Sequence, residues 1–369
     1  MIIFTANNQR MAQNRIIPNN LLVTLLVALT GVMFFSWNPV QNDEFRGNTA
    51  MRIVFYNVEN LFDPFRDSLI NDIEYSPGGM RYWTYSRFKK KCQDLAKVLI
   101  AAGEWEAPDI IGLCEIENRF VLKKLLEYSA LDRLGYEIVH YDSPDGRGID
   151  VAMLYRPEKF EVLHSEPVHV IFPGEDVRST RDILYVKGLA LDSDTLHLFV
   201  NHWPSRYGGY MVTKPLREFT GALLRSYVDS IVVFDSKANI LIMGDFNDLP
   251  DEQSIEVFLG AVFEPEELEP GKLYNLMGPL FRKPSKGSHK FQGEWSTLDQ
   301  FIVSQSLLNG NRNLMVHKRG AIILDADFLL EDDPAYTGKR LNRTYHGMQY
   351  NGGYSDHLPI IVDVLKRTE

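Results

Sequence analysis

Five short stretches of this 369-residue chain join an apolar run to acids, amides or histidine. In FYNVEN (55–60), GLCEIEN (112–118), LFVNHWPSR (198–206) and LIMGDFND (241–248) the polar group follows the run. In YSDHLP (354–359) it comes first. Glu59, Glu115, Asp245 and Asp356 stand at or just beyond these strand-like ends, with Asn57 and Asn247 beside them. Oxygen donors gathered in this way suit a hard divalent cation, Mg²⁺ first and Mn²⁺ as its substitute. One such acid alone is ordinarily a solvated strand end, but four of them with two amides weaken that bland reading. Zinc is disfavoured, because the chain has no CxxC or HExxH and neither cysteine flanks a histidine.

Two histidines accompany the acids. His202 lies among Asn201, Ser205 and Arg206, and His357 follows Asp356 directly. Imidazole donates to a phosphoryl oxygen or moves a proton near neutral pH, and the forked guanidinium of Arg206 matches phosphate geometry. STLDQFIVS (296–304) adds an anomaly, an acid inside a run that reads as a buried strand. An unpaired carboxylate there costs several kcal/mol, so Asp299 needs a partner, and an imidazole that it orients is the natural one. A Ser or Cys nucleophile is disfavoured: no G-x-S-x-G occurs, and Cys114 lies within an apolar run.

The elements that must hold these groups alternate. Strand-like runs at 51–58, 108–118, 136–141, 149–155, 183–191, 195–201, 239–248, 296–304 and 358–365 are interleaved with helical patterns at 86–103, 120–131 and 214–234. Ser86 is the expected cap of the first helix and Gly103 its stop. Several strands follow one another through short turns, which argues for α/β sheets covered by helices rather than a doubly wound parallel sheet. Polar ends of core strands meet at one rim, where α/β folds place their sites.

Residues 1–50 differ from the rest. LLVTLLVALTGVMFF (21–35) carries no charge, and Arg10 and Arg15 precede it. The pattern fits a secretory signal or a short anchor spanning 21–37, followed by a polar tether, and no A-x-A site decides between the two. Export to the periplasm, the membrane surface or the medium is therefore expected, with one monomeric domain over 51–369. Within that domain 36 basic residues face 47 acidic ones. This balance excludes bulk electrostatic binding to duplex DNA and requires any nucleic-acid contact to use a local basic patch. RYWTYSRFKKK (81–91) is one candidate, for a single strand or a lipid headgroup layer. Cys92 and Cys114 read as free, buried thiols.

The order NVEN, LCEIEN, RGIDVAMLYRP, VNHWPSR, MGDFND, STLDQFIVS, YSDHLP resembles the endonuclease/exonuclease/phosphatase superfamily over residues 51–366, and within it a bacterial exported-nuclease-like branch. The resemblance implies a four-layer α/β sandwich of two mostly antiparallel sheets, packed face to face with helices outside. Implied too is metal-dependent phosphodiester hydrolysis by in-line attack of water, with phosphomonoesters, phospholipids or inositol phosphates as the alternative substrates. Nucleic acid is the favoured partner. Glu115 would be the main metal ligand, assisted by Glu59 and Asn57, with Asp356 joining a second metal site. Asp245 and Asn247 would position water and a phosphoryl oxygen. His357, paired with Asp299, would be general base or transition-state stabiliser. His202 would bind the phosphate and protonate the leaving group. Asn201, Arg206 and Arg181 would contact substrate, in a groove that Arg147, Asp150 and Arg178 also line, and the Gly- and Tyr-rich loop 341–359 would shape access.

Overall fold

The computed structural model describes residues 50–67, 70–104, 106–174, 180–263, 271–283 and 286–367. The expected signal or anchor, its tether and Arg178 lie outside the described residues. Among the described residues no helix is long and apolar enough to cross a membrane.

Eight strands lead the architecture: β1 (Ala50–Leu61), β2 (Ile110–Ile116), β3 (Glu137–His140), β4 (Asp150–Tyr155), β5 (Phe160–Val168), β6 (Ile183–Ala190), β7 (Asp194–His202) and β8 (Asn239–Asp245). The first sheet runs Leu314–Val316, Ile360–Lys366, β1, β2, β4, β3, with Ile322–Ile323 also paired to Ile360–Lys366. The second runs β5, β6, β7, β8, Asp299–Ser304, Leu273–Asn275, Ala261–Val262. Pairing is mostly antiparallel, with β1–β2 and β7–β8 the long parallel exceptions. β8 is buried along its whole length, as its unbroken apolar run requires of a strand covered on both faces.

The two sheets face each other. One core cluster takes Phe55, Leu113 and Val362 from the first sheet together with Leu198, Met243 and Phe301 from the second. Gly112 shows how closely they pack, since a Cβ there would sit 2.9 Å from Met243 Sδ. Helix α1 (Tyr85–Gly103) and helix α2 (Arg119–Glu127) add their apolar stripes to this cluster through Phe88, Leu95, Leu99 and Leu122. Helix α3 (Tyr210–Phe234) covers the other face of the second sheet, burying Leu224 and Val228 against Phe199, Ile240 and Ile242. The result is the expected four-layer α/β sandwich. Thr84, not Ser86, caps α1, its hydroxyl accepting from the Arg87 N–H. Cys92 and Cys114 are free and buried.

Away from the strand ends, β7 buries His197, whose Nδ1 lies 2.8 Å from Tyr185 Oη. Burial, assisted by Lys187, lowers His197 from 6.5 to about 4. Between those two values the unfolded chain binds the extra proton, so stability falls as pH drops through this window. The loss is on the order of 2–3 kcal/mol for this group. His197→Gln should flatten the decline in melting temperature between pH 6.5 and 4, and an unchanged slope would refute the assignment.

Candidate active site

The parallel β1–β2 pairing brings Asn57 opposite Cys114, and both strands shift register just beyond. There the backbone turns left-handed at three non-glycine residues, Glu59 (φ 53°), Asn60 (φ 54°) and Glu115 (φ 62°). Each costs about 1–2 kcal/mol, and such strain persists only where its surroundings hold it. Here they do: Asn57 Oδ1 accepts from the Glu59 N–H at 3.0 Å, and Glu115 Oε2 accepts from the Asn60 N–H at 2.8 Å. The turns carry the two acids out of the strand alternation and onto the rim.

The second sheet contributes a row. Strand register aligns His202 with Asp245 across β7–β8, and Asp245 with Asp299 on the next strand. Three neighbouring strands thus present a histidine and two carboxylates side by side. From the loop before Ile360–Lys366, His357 reaches across and places Nδ1 2.7 Å from Asp299 Oδ2. Its Nε2 is 3.8 Å from Asp245 Oδ2, and His202 Nε2 is 3.7 Å from the same oxygen. Asn57 Nδ2 donates to that oxygen at 3.1 Å, joining the two sheets, and the Asn247 N–H donates to Asp245 Oδ1 at 2.9 Å. Asn247 is itself left-handed, at φ 51°. Asp299 is fully buried, and the partner that the sequence demanded is His357.

Charge in this row is uneven. Burial lowers His357, but Asp299 and Asp245 outweigh it and hold the imidazolium up to about 10. Burial, reinforced by Asp299 and opposed by His357, pushes Asp245 up to about 6. His202 is driven well below its usual value by burial and then by Arg181, so it is neutral.

Glu59 and Asp356 do not stand free beside Glu115. Arg343, which the sequence reading did not single out, donates from Nε and Nη2 to Glu59 Oε1 and from Nη2 to Asp356 Oδ2. The other oxygen of Glu59 accepts from the Thr344 N–H. Glu59 is raised by burial and by Asp356, whereas Asp356 is held down to about 2 because Arg343 outweighs its burial.

Two of the expected substrate contacts are also spent internally. Asn201 is fully buried, accepting from Trp203 Nε1 at 3.1 Å and donating to the Met243 carbonyl at 3.2 Å. Arg181 is buried against Asp145 Oδ2 and the Trp203 carbonyl, so both residues brace the segment bearing His202. Buried polar groups are ordinarily paired, and Asn201 and the two terminal nitrogens of Arg181 are. Arg206 is half-exposed and donates to the Asn247 carbonyl and to Asp248. Asp150 is engaged by His140 and Ser143, while Arg147 donates to Asn60 Oδ1 at the rim.

Three cations of the basic, aromatic segment 81–91 are engaged within the fold as well. Arg81 lies 5.0 Å from the ring centres of both Tyr75 and Tyr345, and Arg87 lies 4.1 Å over Tyr350. Lys91 is buried, donating to Thr344 Oγ1 at 2.5 Å and to the Tyr354 carbonyl. Arg81, Arg87 and Lys91 thus clasp the loop that leads to His357, while Lys89 and Lys90 stay exposed. Ser355 completes the clasp: its Oγ donates to the Asn57 carbonyl and accepts from the His357 N–H. Ser288, also missed, accepts on Oγ from the Asp299 N–H and on its carbonyl from the Leu358 N–H, stitching the two halves of the acid–imidazole pair together.

The donor set fits a divalent cation. Glu115 and Asn57 offer oxygens, as a hard ion requires, and the Asp245 carboxylate lies beside Asn57. Neither the Glu115 nor the Asp245 carboxylate is hydrogen-bonded to a Lys or Arg in the contacts described above.

Comparisons with known proteins agree with this architecture. The sequence profile described as the endonuclease/exonuclease/phosphatase family matches residues 52–366. No curated protein sequence matches the chain. Among solved structures, the human nocturnin catalytic domain with bound sulfate superposes with a TM-score of 0.53 at 18% identity, covering 86% of this chain and 95% of that one. The Bacteroides thetaiotaomicron VPI-5482 mannosyl-6-phosphatase gives 0.51 at 16%, covering 85% and 99%. A D. rerio TDP2 humanized by 14 mutations gives 0.51 at 13%, covering 85% and 98%. At these identities the structures show a shared fold. With the profile covering nearly all of the described domain, the chain belongs to the endonuclease/exonuclease/phosphatase family and is a metal-dependent phosphoesterase.

Proposed function

We propose that the chain is a Mg²⁺-dependent phosphodiester hydrolase acting on nucleic acid or smaller diesters, exported by its N-terminal apolar stretch. The observation that carries this reading is the row His202–Asp245–Asp299 with His357 bonded to its far end. Asp245, fixed by Asn57 and Asn247, orients the attacking water and accepts its proton. Asp299 holds His357 Nδ1, leaving the charged Nε2 to donate to a phosphoryl oxygen. Neutral His202, on the opposite side of Asp245, contacts the phosphate and serves the leaving oxygen. A divalent cation held by Glu115 and Asn57 would offset charge gathering on the phosphoryl oxygens.

A second reading, phosphomonoester hydrolysis, is favoured by one observation: Arg81, Arg87 and Lys91 of segment 81–91 are engaged within the fold, which leaves Lys89 and Lys90 as the exposed cations of that segment. The relative of similar fold that is a mannosyl-6-phosphatase agrees with that alternative. The test is turnover of the purified chain with Mg²⁺ on bis-p-nitrophenyl phosphate, p-nitrophenyl phosphate, single-stranded oligonucleotides, plasmid DNA and sugar phosphates. Faster cleavage of the diesters is expected. Faster cleavage of the monoesters transfers the assignment to the second reading.

A further inference from the structure

Glu59 and Asp356 were expected to ligate metal, and the structure gives them a different cation. Arg343 Nε and Nη2 reach Glu59 Oε1 at 2.9 and 2.7 Å, and the same Nη2 reaches Asp356 Oδ2 at 2.7 Å. A guanidinium shared by two carboxylates does the electrostatic work of a bridging metal ion, with a charge that no physiological pH removes. Its place is fixed from several sides. Asn351 Nδ2 donates to the Arg343 carbonyl at 3.1 Å, and the Thr344 N–H ties down Glu59 Oε2 at 2.9 Å. Lys91, buried beneath, grips the Thr344 hydroxyl.

The charges then divide into two groups. Glu59 and Asp356 are balanced by Arg343 and Lys91. Asp299 is hydrogen-bonded to His357, whereas Glu115 and Asp245 take their hydrogen bonds from backbone N–H groups and the Asn57 amide, which leaves these two carboxylates to a divalent ion. We propose that Arg343 is a built-in replacement for a second divalent cation, so that this active site binds a single metal ion, on the Glu115–Asn57 side. The proposal rests on the metal-dependent reading above and fixes its stoichiometry.

Equilibrium dialysis and calorimetric titration of the full chain with Mn²⁺ test it. The wild type should bind one ion, Arg343→Gln should bind two, and Arg343→Lys, which keeps the charge, should bind one. Two ions on the wild type overturn the proposal, and so does a single ion on a folded Arg343→Gln. Binding of none defeats the metal-dependent reading along with it, so the two failures are told apart. A melting scan checks that each variant folds. Should Arg343→Gln not fold, the wild-type titration carried to millimolar Mn²⁺ decides alone: one class of site supports the proposal and a second class overturns it.

Discussion

Asp299→Asn should slow turnover about 10²–10⁴-fold, the range seen when a carboxylate that orients a histidine becomes an amide. The fold should survive, because Asn fills the same buried volume in the Asp299–Ser304 strand. What changes is the imidazole. Without the carboxylate, Nδ1 loses the acceptor at 2.7 Å that fixes its tautomer, and His357 loses the larger of the two charges that keep it protonated. A second readout follows from linkage. His357 is raised from 6.5 to about 10 in the folded protein, so its contribution to stability is complete below pH 6.5 and is lost as pH rises through about 10. Asp299→Asn should therefore flatten the alkaline limb of the stability curve while leaving the circular dichroism spectrum unchanged. A fully active Asp299→Asn variant would sink the pairing as a functional unit.

Glu115→Gln should disable the enzyme by a different route. The amide oxygen still accepts from the Asn60 N–H, so the left-handed turn at the end of β2 keeps its support. The lost charge weakens metal binding by at least about 10–100-fold, the loss typical of residues that merely support a ligand. Turnover at low Mg²⁺ should collapse, and high Mg²⁺ should recover part of it. No such recovery is expected for Asp299→Asn, whose defect lies in the imidazole, so titrating Mg²⁺ against both variants separates the two roles. An unchanged Mg²⁺ requirement in Glu115→Gln would remove Glu115 from the metal site.

The sandwich was legible because its central strands are buried on both faces and so appear as unbroken apolar runs, most plainly Asn239–Asp245, whereas the half-exposed edge strand Phe160–Val168 left no such run. The rim was legible for the related reason that apolar runs can afford acids only at their ends. Asp299 was the exception that proved most informative. Its place in mid-run made sense once register aligned it with Asp245 and His202. What stayed hidden falls into two physical classes. Backbone geometry was one: nothing in NVEN, LCEIEN or GDFN announces that Glu59, Asn60, Glu115 and Asn247 are left-handed. Long-range pairing was the other. Arg343 meets Glu59 across 284 residues of sequence, and Lys91 meets Thr344 across 253. For the same reason Asn201 and Arg181 read as substrate contacts. A buried polar side chain that is already satisfied and one that awaits a ligand are spelled with the same residues, and only the fold shows which partners are present.

The first sheet sets Ile360–Lys366 directly beside β1, so that Arg52 and Asp363 bond across 311 residues of sequence. For a chain made from one end, this arrangement imposes an order of events. β1, β2 and the row bearing Asp245 and Asp299 all leave the ribosome before the strand that pairs with β1, and before the imidazole that pairs with Asp299. A nascent chain that has reached Gly353 holds Glu115, Asp245 and Asp299 but no His357, and β1 still has an open edge. Non-local pairings of this kind close late in folding. The open edge of β1 and the unpaired Asp299 carboxylate are therefore closed by the same late segment, 357–366.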